Sequence, residues 1–373
     1  MNIEIREVTS HNQLKEFVRF PFHLYKDNKY WVPDIISEEM DLLDPRKNPA
    51  FEYCDVKVWL AYKNGRVAGR IAAIINHLEL EHNPVKAGRI SRLEFIDDRE
   101  VVNLLIQTAE SWLKEKGMTT VHGPLGFSNL DHQGILVEGF EYLPSIVSSY
   151  HMPYYLKHME ALGYEKENDW LEFRLTLTEI PPRALKMQEM IKERYHLKVK
   201  QFSSKKEMRK YTKVFFELLN RSFEQLPYMV PYNDKMIEFY SNKFFNFLQP
   251  RFIRLIENEA GEIVGFTISI PSMSRAFQKA RGRIWPLGIF HIMKALRNND
   301  TSDLVLNGLE PQYVKMGVAA ILIIEQTKTL LENGIKFVET TGIFENNHTA
   351  IQTWKNYQHI QHKRKRCFVK QLG

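Results

Sequence analysis

Between Asp303 and Thr329 the chain reads DLVLNGLEPQYVKMGVAAILIIEQTKT, and this stretch constrains the fold more than any other. Leu304, Leu306 and Leu309 alternate with other residues, the period of a half-buried strand. Pro311 has no N–H to give to a ladder and ends the strand. Val314 to Ala319 then form a short turn with one glycine, Gly317. Ala320 to Ile324 continue into an apolar helix. A strand, a short glycine-bearing turn and a helix that begins on small residues form an anion site. The free N–H groups of the helix start point outward there, and the macrodipole favours negative charge. Gly317 and Ala319 leave room for a ligand to approach the backbone.

The chain has 373 residues, comfortable for two domains, with 44% hydrophobic and 26% charged residues, which is ordinary globular composition. The net charge of +6 suits anionic ligands and permits a membrane surface. The positive charge is not gathered into a long block, so nucleic acid is not favoured. Lys363-Arg364-Lys365-Arg366 is the one basic run and reads as a solvated edge. Two cysteines, Cys54 and Cys367, form no disulfide framework and suggest a reducing compartment. The N-terminus MNIEIREVTS is polar and reads as a strand, not a signal peptide. No apolar run reaches the roughly 20 residues that span a bilayer. A cytoplasmic protein is expected, with peripheral contact to the inner membrane left open.

Taken in order, residues 2–8 alternate as a first strand, and Ser10 is placed to cap a helix running to Phe20. The aromatic and proline-bearing segment 26–51 reads as an ordered surface or lid segment. Residues 55–62 and 66–76 read as a hairpin turning on Asn64-Gly65. A strand at 91–96, a helix at 98–116 closed by Gly117, and a strand at 119–125 follow. The loop at 126–152 carries Ser128, Asn129, Asp131, His132 and His151. A helix at 153–163 and a strand at 170–178 lead to Ile180-Pro181-Pro182, read as the boundary. The plan then repeats. A strand at 196–202, the cap Ser203 and an amphipathic helix precede a hairpin at 251–270. Next come the strand and helix of the opening paragraph, a strand at 337–343 and a helix from Asn347. No short internal period is present, which excludes solenoids.

The 303–329 stretch resembles the acyl-CoA-binding motif of the GNAT superfamily of N-acyltransferases. That motif is Arg/Gln-x-x-Gly-x-Gly/Ala after a strand that often ends Pro-x-Tyr. Pro311, Tyr313, Gly317 and Ala319 fit, whereas Val314 stands where the Arg or Gln would be. The resemblance implies an α/β fold of two tandem GNAT-like domains, each a mixed, mostly antiparallel sheet flanked by helices. The cut falls between 1–180 and 181–373. It implies acyl-CoA or acetyl-CoA as co-substrate and no metal. The donor would be held by Leu309, Val314, Lys315, Met316, Gly317, Val318, Ala319, Ala320 and Asn347. Glu310, or Glu339 on the next strand, would take the proton from the amine. The usual acid is a Tyr on the last helix. Trp354 fills that place here, and Tyr357 is the substitute. In the first half the matching turn carries Asp97 and Asp98, where like charges repel a pyrophosphate.

The aromatic connection 220–232, with Tyr228 and Tyr232, is expected to shape the acceptor site and to favour a hydrophobic amine. The segment from Arg281 through Trp285 to Arg297 is amphipathic and cationic at both ends. It suits either a bilayer interface or burial against its own core. The expected function is N-acyl transfer from acyl-CoA to an amine, one version being acylation of a sphingoid-type long-chain amine. A binding-only protein that keeps the fold without chemistry is the alternative. An aminoacyl-tRNA-dependent peptidyltransferase of the tandem type is another. The histidines show no HExxH, and with two distant cysteines no zinc pattern emerges.

Overall fold

The computed structural model describes residues 2–353 and 357–373, and Trp354 lies outside them. Two compact units emerge. Unit 1 combines residues 1–171, 274–291 and 362–373, and unit 2 combines 172–273 and 292–361. The units are therefore interleaved along the chain, where the sequence read in order suggests one cut between 180 and 181.

The first 163 residues open with β1 (Ile3–Glu7), α1 (His11–Leu24) and α2 (Ile36–Leu42). Next are the hairpin β2 (Cys54–Lys63) and β3 (Arg66–Asn76), α3 (His77–His82) and β4 (Ala87–Phe95). Then come α4 (Arg99–Glu115), β5 (Thr120–Gly123), β6 (Ile135–Glu138) and α5 (Tyr154–Ala161). Ser10 starts α1 through a capping box, its hydroxyl accepting from the Gln13 N–H while Gln13 Oε1 accepts from the Ser10 N–H. The helix runs past Phe20, through Pro21, to Leu24. Asn64 and Gly65, at φ 52° and 76°, make the primed turn that matches strand twist.

Sheet order in unit 1 is β1-β2-β3-β4-β5-β14, where β14 is Gln358–Gln371, and β6 also pairs β14. All of these ladders are antiparallel except β4–β5. Helix α4 lies against β3 and fixes the core. Gly69 of β3 makes that approach possible: a Cβ there would stand 2.6 Å from Leu105 Cδ1. Segment 26–51 is not a surface lid. Val32, Ile35, Leu42, Leu43 and Ala50 are all buried, because its apolar residues outnumber what a solvated flap could expose.

Strand β7 (Glu165–Thr176) passes from unit 1 into unit 2 at Leu171. Unit 2 continues with α6 (Pro182–Arg194), β8 (Lys198–Lys200), α7 (Lys205–Arg209), α8 (Thr212–Phe223) and α9 (Asp234–Phe244). Ser204 rather than Ser203 is the cap, and the helix it starts is the five-residue α7. The hairpin β9 (Ile253–Glu257) and β10 (Ile263–Pro271) precedes α10 (Ser274–Ala280) and α11 (Gly288–Arg297). The chain ends with β11 (Thr301–Leu309), α12 (Val318–Glu332), β12 (Phe337–Thr340), β13 (Ile343–Phe344), α13 (His348–Gln352) and β14. Sheet order in unit 2 is β7-β12-β11-β10-β9-β8, with β11–β12 the parallel pair.

Each half of the chain thus lends its last strand to the other half's sheet. Residues 174–176 pair with β12, and 368–371 pair with β5. This exchange overturns the reading of Lys363–Arg366 as a solvated edge. Lys363 and Lys365 are 2% and 5% exposed. Arg364 and Arg366 both bond Asp169, whose side chain is wholly buried, at 2.8 to 3.0 Å. Alternate cations of one strand point to opposite faces, and on one face a buried carboxylate neutralises them.

Candidate functional site

In unit 2 the strand before the motif bends. Ile268 of β10 is registered against Leu306, but Ser269 is registered against Leu304, so Val305 is an extra residue in β11. A bulge of this kind bends its strand and sharpens the local twist. The parallel neighbour parts at the same level. β12 is registered against β11 only from Thr301 to Leu304. Beyond that, Thr341 reaches back with two bonds of 3.3 Å, its N–H to the Leu304 carbonyl and its hydroxyl to the Val305 carbonyl. On the other side β11 stays paired with β10 through Leu309, and the Glu310 N–H bonds the Val264 carbonyl at 2.8 Å. The two parallel strands therefore open into a V, with residues 306–309 along one arm.

At the end of that arm Pro311–Met316 form two turns of 3₁₀ helix. Gly317 follows at φ 74°, a left-handed conformation that L side chains rarely adopt, and is the residue from which α12 starts. Space is not the constraint, since a Cβ there would meet only Ile191 Cδ1, at 3.3 Å. Helix α12 has no side-chain cap and no acidic residue in its first turn. Val318 is buried, anchoring the helix start on a core of Leu197, Ile256, Val264, Ile321 and Leu322. Ala319 and Ala320 are half-buried, while Val314, Lys315 and Met316 are exposed. The result is a helix start anchored on the core with no side chain over its first backbone donors, of which the Ala320 N–H bonds the Gly317 carbonyl at 3.0 Å.

Unit 1 repeats the frame and closes it. Between Arg70↔Glu94 and Ala72↔Ser91 the register of β3 and β4 slips by one, and Arg92 sits in the bulge at φ 51°. β4 is registered against β5 only from Ala87 to Arg89. The following helix, α4, starts from Asp98, whose carboxylate accepts from the Glu100 and Val101 N–H groups and is paired with Lys63. The Lys63 bond holds the Asp98 carboxyl below the ordinary carboxylate range. Here the first donors of the helix are satisfied by the chain's own anion.

The proposed catalytic residues do not converge. Glu310 stands at the tip of the V, and its Oε1 accepts from Arg221 Nε at 2.6 Å. Glu339 lies where the strands are still paired, opposite Asp303, with Arg174 at 3.6 Å. Seven residues of strand separate Asp303 from Glu310, roughly 23 Å, so the two carboxylates serve different levels of the sheet. Tyr357 shares a 3.2 Å hydrogen bond with Thr327 of α12, and burial raises its pKa. Thr327 is nine residues beyond Val318, roughly 14 Å along the helix from the Gly317 turn. Asn347 caps α13, its side-chain oxygen accepting from the Ala350 N–H at 3.1 Å.

Tyr228 and Tyr232 are buried, and Tyr232 packs on Phe216 and Tyr240 in an aromatic core. They are core side chains rather than a presented surface. Trp285, Leu287 and Phe290 are 74%, 69% and 69% exposed, so for these three side chains the burial reading of the segment is overturned. The bulge at Val305 escaped the sequence reading, since a register slip leaves no mark within a single strand. The charges Arg89, Arg92 and Glu94 in one largely buried strand were a legible sign in unit 1. Among the described residues no group of metal-ligating side chains gathers.

Solved structures of known fold align with the whole of this chain. A tandem GNAT protein from the clavulanic acid biosynthesis pathway aligns over 100% of this chain and 99% of its own, with a TM-score of 0.57 at 12% identity. This chain has the tandem GNAT fold. No family model matches it. Protein YghO of Escherichia coli K12 is 25% identical over 376 residues, 99% of this chain and 95% of that protein. The bacterial ceramide synthase of Caulobacter vibrioides is 24% identical over 300 residues, 77% of this chain and 74% of that enzyme.

Proposed function

We propose that the protein is an N-acyltransferase that moves an acyl group from acyl-CoA to a hydrophobic amine, with the donor bound in unit 2. The observation that carries this reading is the contrast between the two helix starts. The one after Gly317 has no cap, whereas its counterpart is closed by Asp98 and Lys63. The donor's phosphates take the N–H groups of Val318 and Ala319, the Ala320 N–H being bonded to the Gly317 carbonyl at 3.0 Å, and Lys315 supplies a nearby positive charge. The pantetheine arm runs into the V beside residues 306–309. Backbone N–H groups there polarise the thioester carbonyl. The neutral amine attacks that carbon, a C–N bond forms, the C–S bond breaks, and the thiolate leaves with a proton.

Glu310 is the proposed acceptor of the amine proton. Arg221 occupies one of its oxygens and fixes its orientation, so the other oxygen, directly or through a water, does the work. Tyr357, bonded to Thr327, is the weaker candidate for reprotonating the thiolate. That placement favours one second reading, a protein that binds acyl-CoA without turning it over. Release of free CoA from acyl-CoA in the presence of a long-chain amine separates the two readings.

The ceramide synthase relative supports a long-chain amine of sphingoid type as acceptor. The exposed Trp285, Leu287 and Phe290, with Arg281 and Arg283 beside them, support contact with an anionic bilayer where such an amine resides. No helix among the described residues is long and apolar enough to cross a membrane, so the contact would be peripheral, on the cytoplasmic face. Thermal unfolding with CoA, acetyl-CoA and palmitoyl-CoA below micelle-forming concentrations tests donor binding. Ligand at 100 times its Kd stabilises by about 2.7 kcal/mol. No shift with any of the three would sink the proposal.

A further inference from the structure

The V of unit 1 is closed to a pyrophosphate, yet it holds a cavity. Glu94 and Arg92 of β4, Arg70 of β3, Asp34, Glu39 and His132 line it. Arg92 is already satisfied, its Nε bonding Glu39 Oε2 at 3.0 Å with both side chains under 10% exposed. Arg70 and Glu94 face each other across the ladder but form no ion pair. Arg70 Nη1 bonds the Phe17 carbonyl at 3.0 Å, and its buried Nε has no hydrogen-bond partner. Glu94 is held by two hydroxyls, Tyr25 at 2.5 Å and Tyr155 at 2.6 Å, and both reach Oε2. Its other oxygen, Oε1, takes neither of these bonds, and Glu94 lines the cavity. Asp34, with a side chain 38% exposed, stands 3.5 Å from His132 Nε2.

Three carboxylates against two guanidiniums leave the lining one negative charge in excess, which selects a cation. Arg70 beside Glu94 adds a second requirement, since an unpartnered guanidinium N–H seeks an oxygen. We propose that this cavity binds a primary amine carrying a hydroxyl or carbonyl oxygen on the neighbouring carbon. The ammonium lies against Glu94 Oε1 with Asp34 drawing it in, and the oxygen lies toward the Arg70 guanidinium. A plain alcohol lacks the charge, and a carboxylate is repelled. The pKa of Glu94 is pushed up to about 6 by burial, opposed by Arg70 and the two tyrosines, so the carboxylate is ionised at neutral pH. Binding at this cavity does not depend on acyl transfer.

Isothermal titration of the full chain at pH 7.5, without any acyl donor, tests it. The probes are 2-amino-1-octanol, n-octylamine, n-octanol and octanoate. The expected result is saturable one-to-one binding of the amino alcohol, several-fold weaker binding of octylamine, and none of the other two. Asp34→Asn, at a side chain more than a third exposed, keeps the fold and weakens the amino alcohol at least tenfold. Glu94→Gln, which keeps acceptors for both tyrosines, does the same, with its melting curve checked against wild type. Equal binding of n-octanol, unchanged affinity in both variants, or no saturable binding of the amino alcohol would overturn the assignment.

Discussion

Asp98 and Gly317 hold the same station in the two units: each is the residue from which the helix after the bulged strand starts. One fills the helix start with its own carboxylate, and the other leaves it open. The frame is shared, and the side chain at one position decides whether the helix start is capped, which underlies the proposal that unit 2 takes the anionic donor.

Exchanging these side chains has separable effects. Gly317→Ala costs about 1–2 kcal/mol from the left-handed backbone, and Gly317→Glu adds a carboxylate that abolishes CoA binding. Asp98→Ala costs about 1 kcal/mol for the lost cap. Urea melts with and without CoA check all three. Retained CoA affinity in Gly317→Glu would refute the placement of the donor.

Glu310→Gln is expected to lower amide formation by about a hundredfold or more while leaving CoA binding within twofold of wild type. Tyr357→Phe, remote from the Gly317 turn, is expected to cost less. Steady-state thioester consumption with a saturating amine reads both. Unchanged turnover in both variants removes these residues from the chemistry.

Membrane contact through the 281–291 segment makes a salt-dependent prediction. The wild type is expected to co-sediment with anionic vesicles at low salt and less with zwitterionic ones. Trp285→Ala with Phe290→Ala is expected to cut the bound fraction roughly fivefold or more. Trp285 emission should shift to the blue on binding. Equal sedimentation of the double variant would point to the cations alone.

Two buried groups in unit 1 pull acid stability in opposite directions. Burial lowers His151 to about 3 from 6.5, with Lys365 and His132 adding repulsion. Only the unfolded chain binds that proton between pH 6.5 and 3, so stability falls as pH falls through this window, by about 3 kcal/mol at pH 4.5. Glu94, raised from 4.5 to about 6, acts the other way. The folded state takes its proton first, so stability rises as pH falls from about 7, by about 2 kcal/mol at pH 4.5. These two groups together leave a net loss of about 1 kcal/mol in the wild type. In Glu94→Gln the loss deepens to about 3 kcal/mol, and denaturant melts at pH 7 and pH 4.5 measure the difference.

Asp169→Asn is expected to cost about 2–4 kcal/mol, because it removes the buried anion shared by Arg364 and Arg366 and leaves Arg364 only its exposed partner Glu138. Asp169→Asn with Arg364→Met and Arg366→Met should recover part of that loss. A cost below about 0.5 kcal/mol would show that solvent, not Asp169, compensates the pair.

The sequence by itself determined what local physics controls. Ser10 with Gln13, Asn64-Gly65 between two apolar runs, Pro311 after alternating leucines and Gly317 before an apolar helix each specify a cap, a turn or a stop within a few residues. The order of elements and the resemblance at 303–329 then gave the fold class and the open helix start. Tertiary structure decided what depends on partners far along the chain. The exchange of last strands buried Lys363–Arg366, because Asp169 lies almost two hundred residues earlier. Bulges at Arg92 and Val305 arise from register between strands, which no single strand encodes. The cavity at Glu94 gathers Asp34, Arg70 and His132, whose charges find each other only after the sheet has formed.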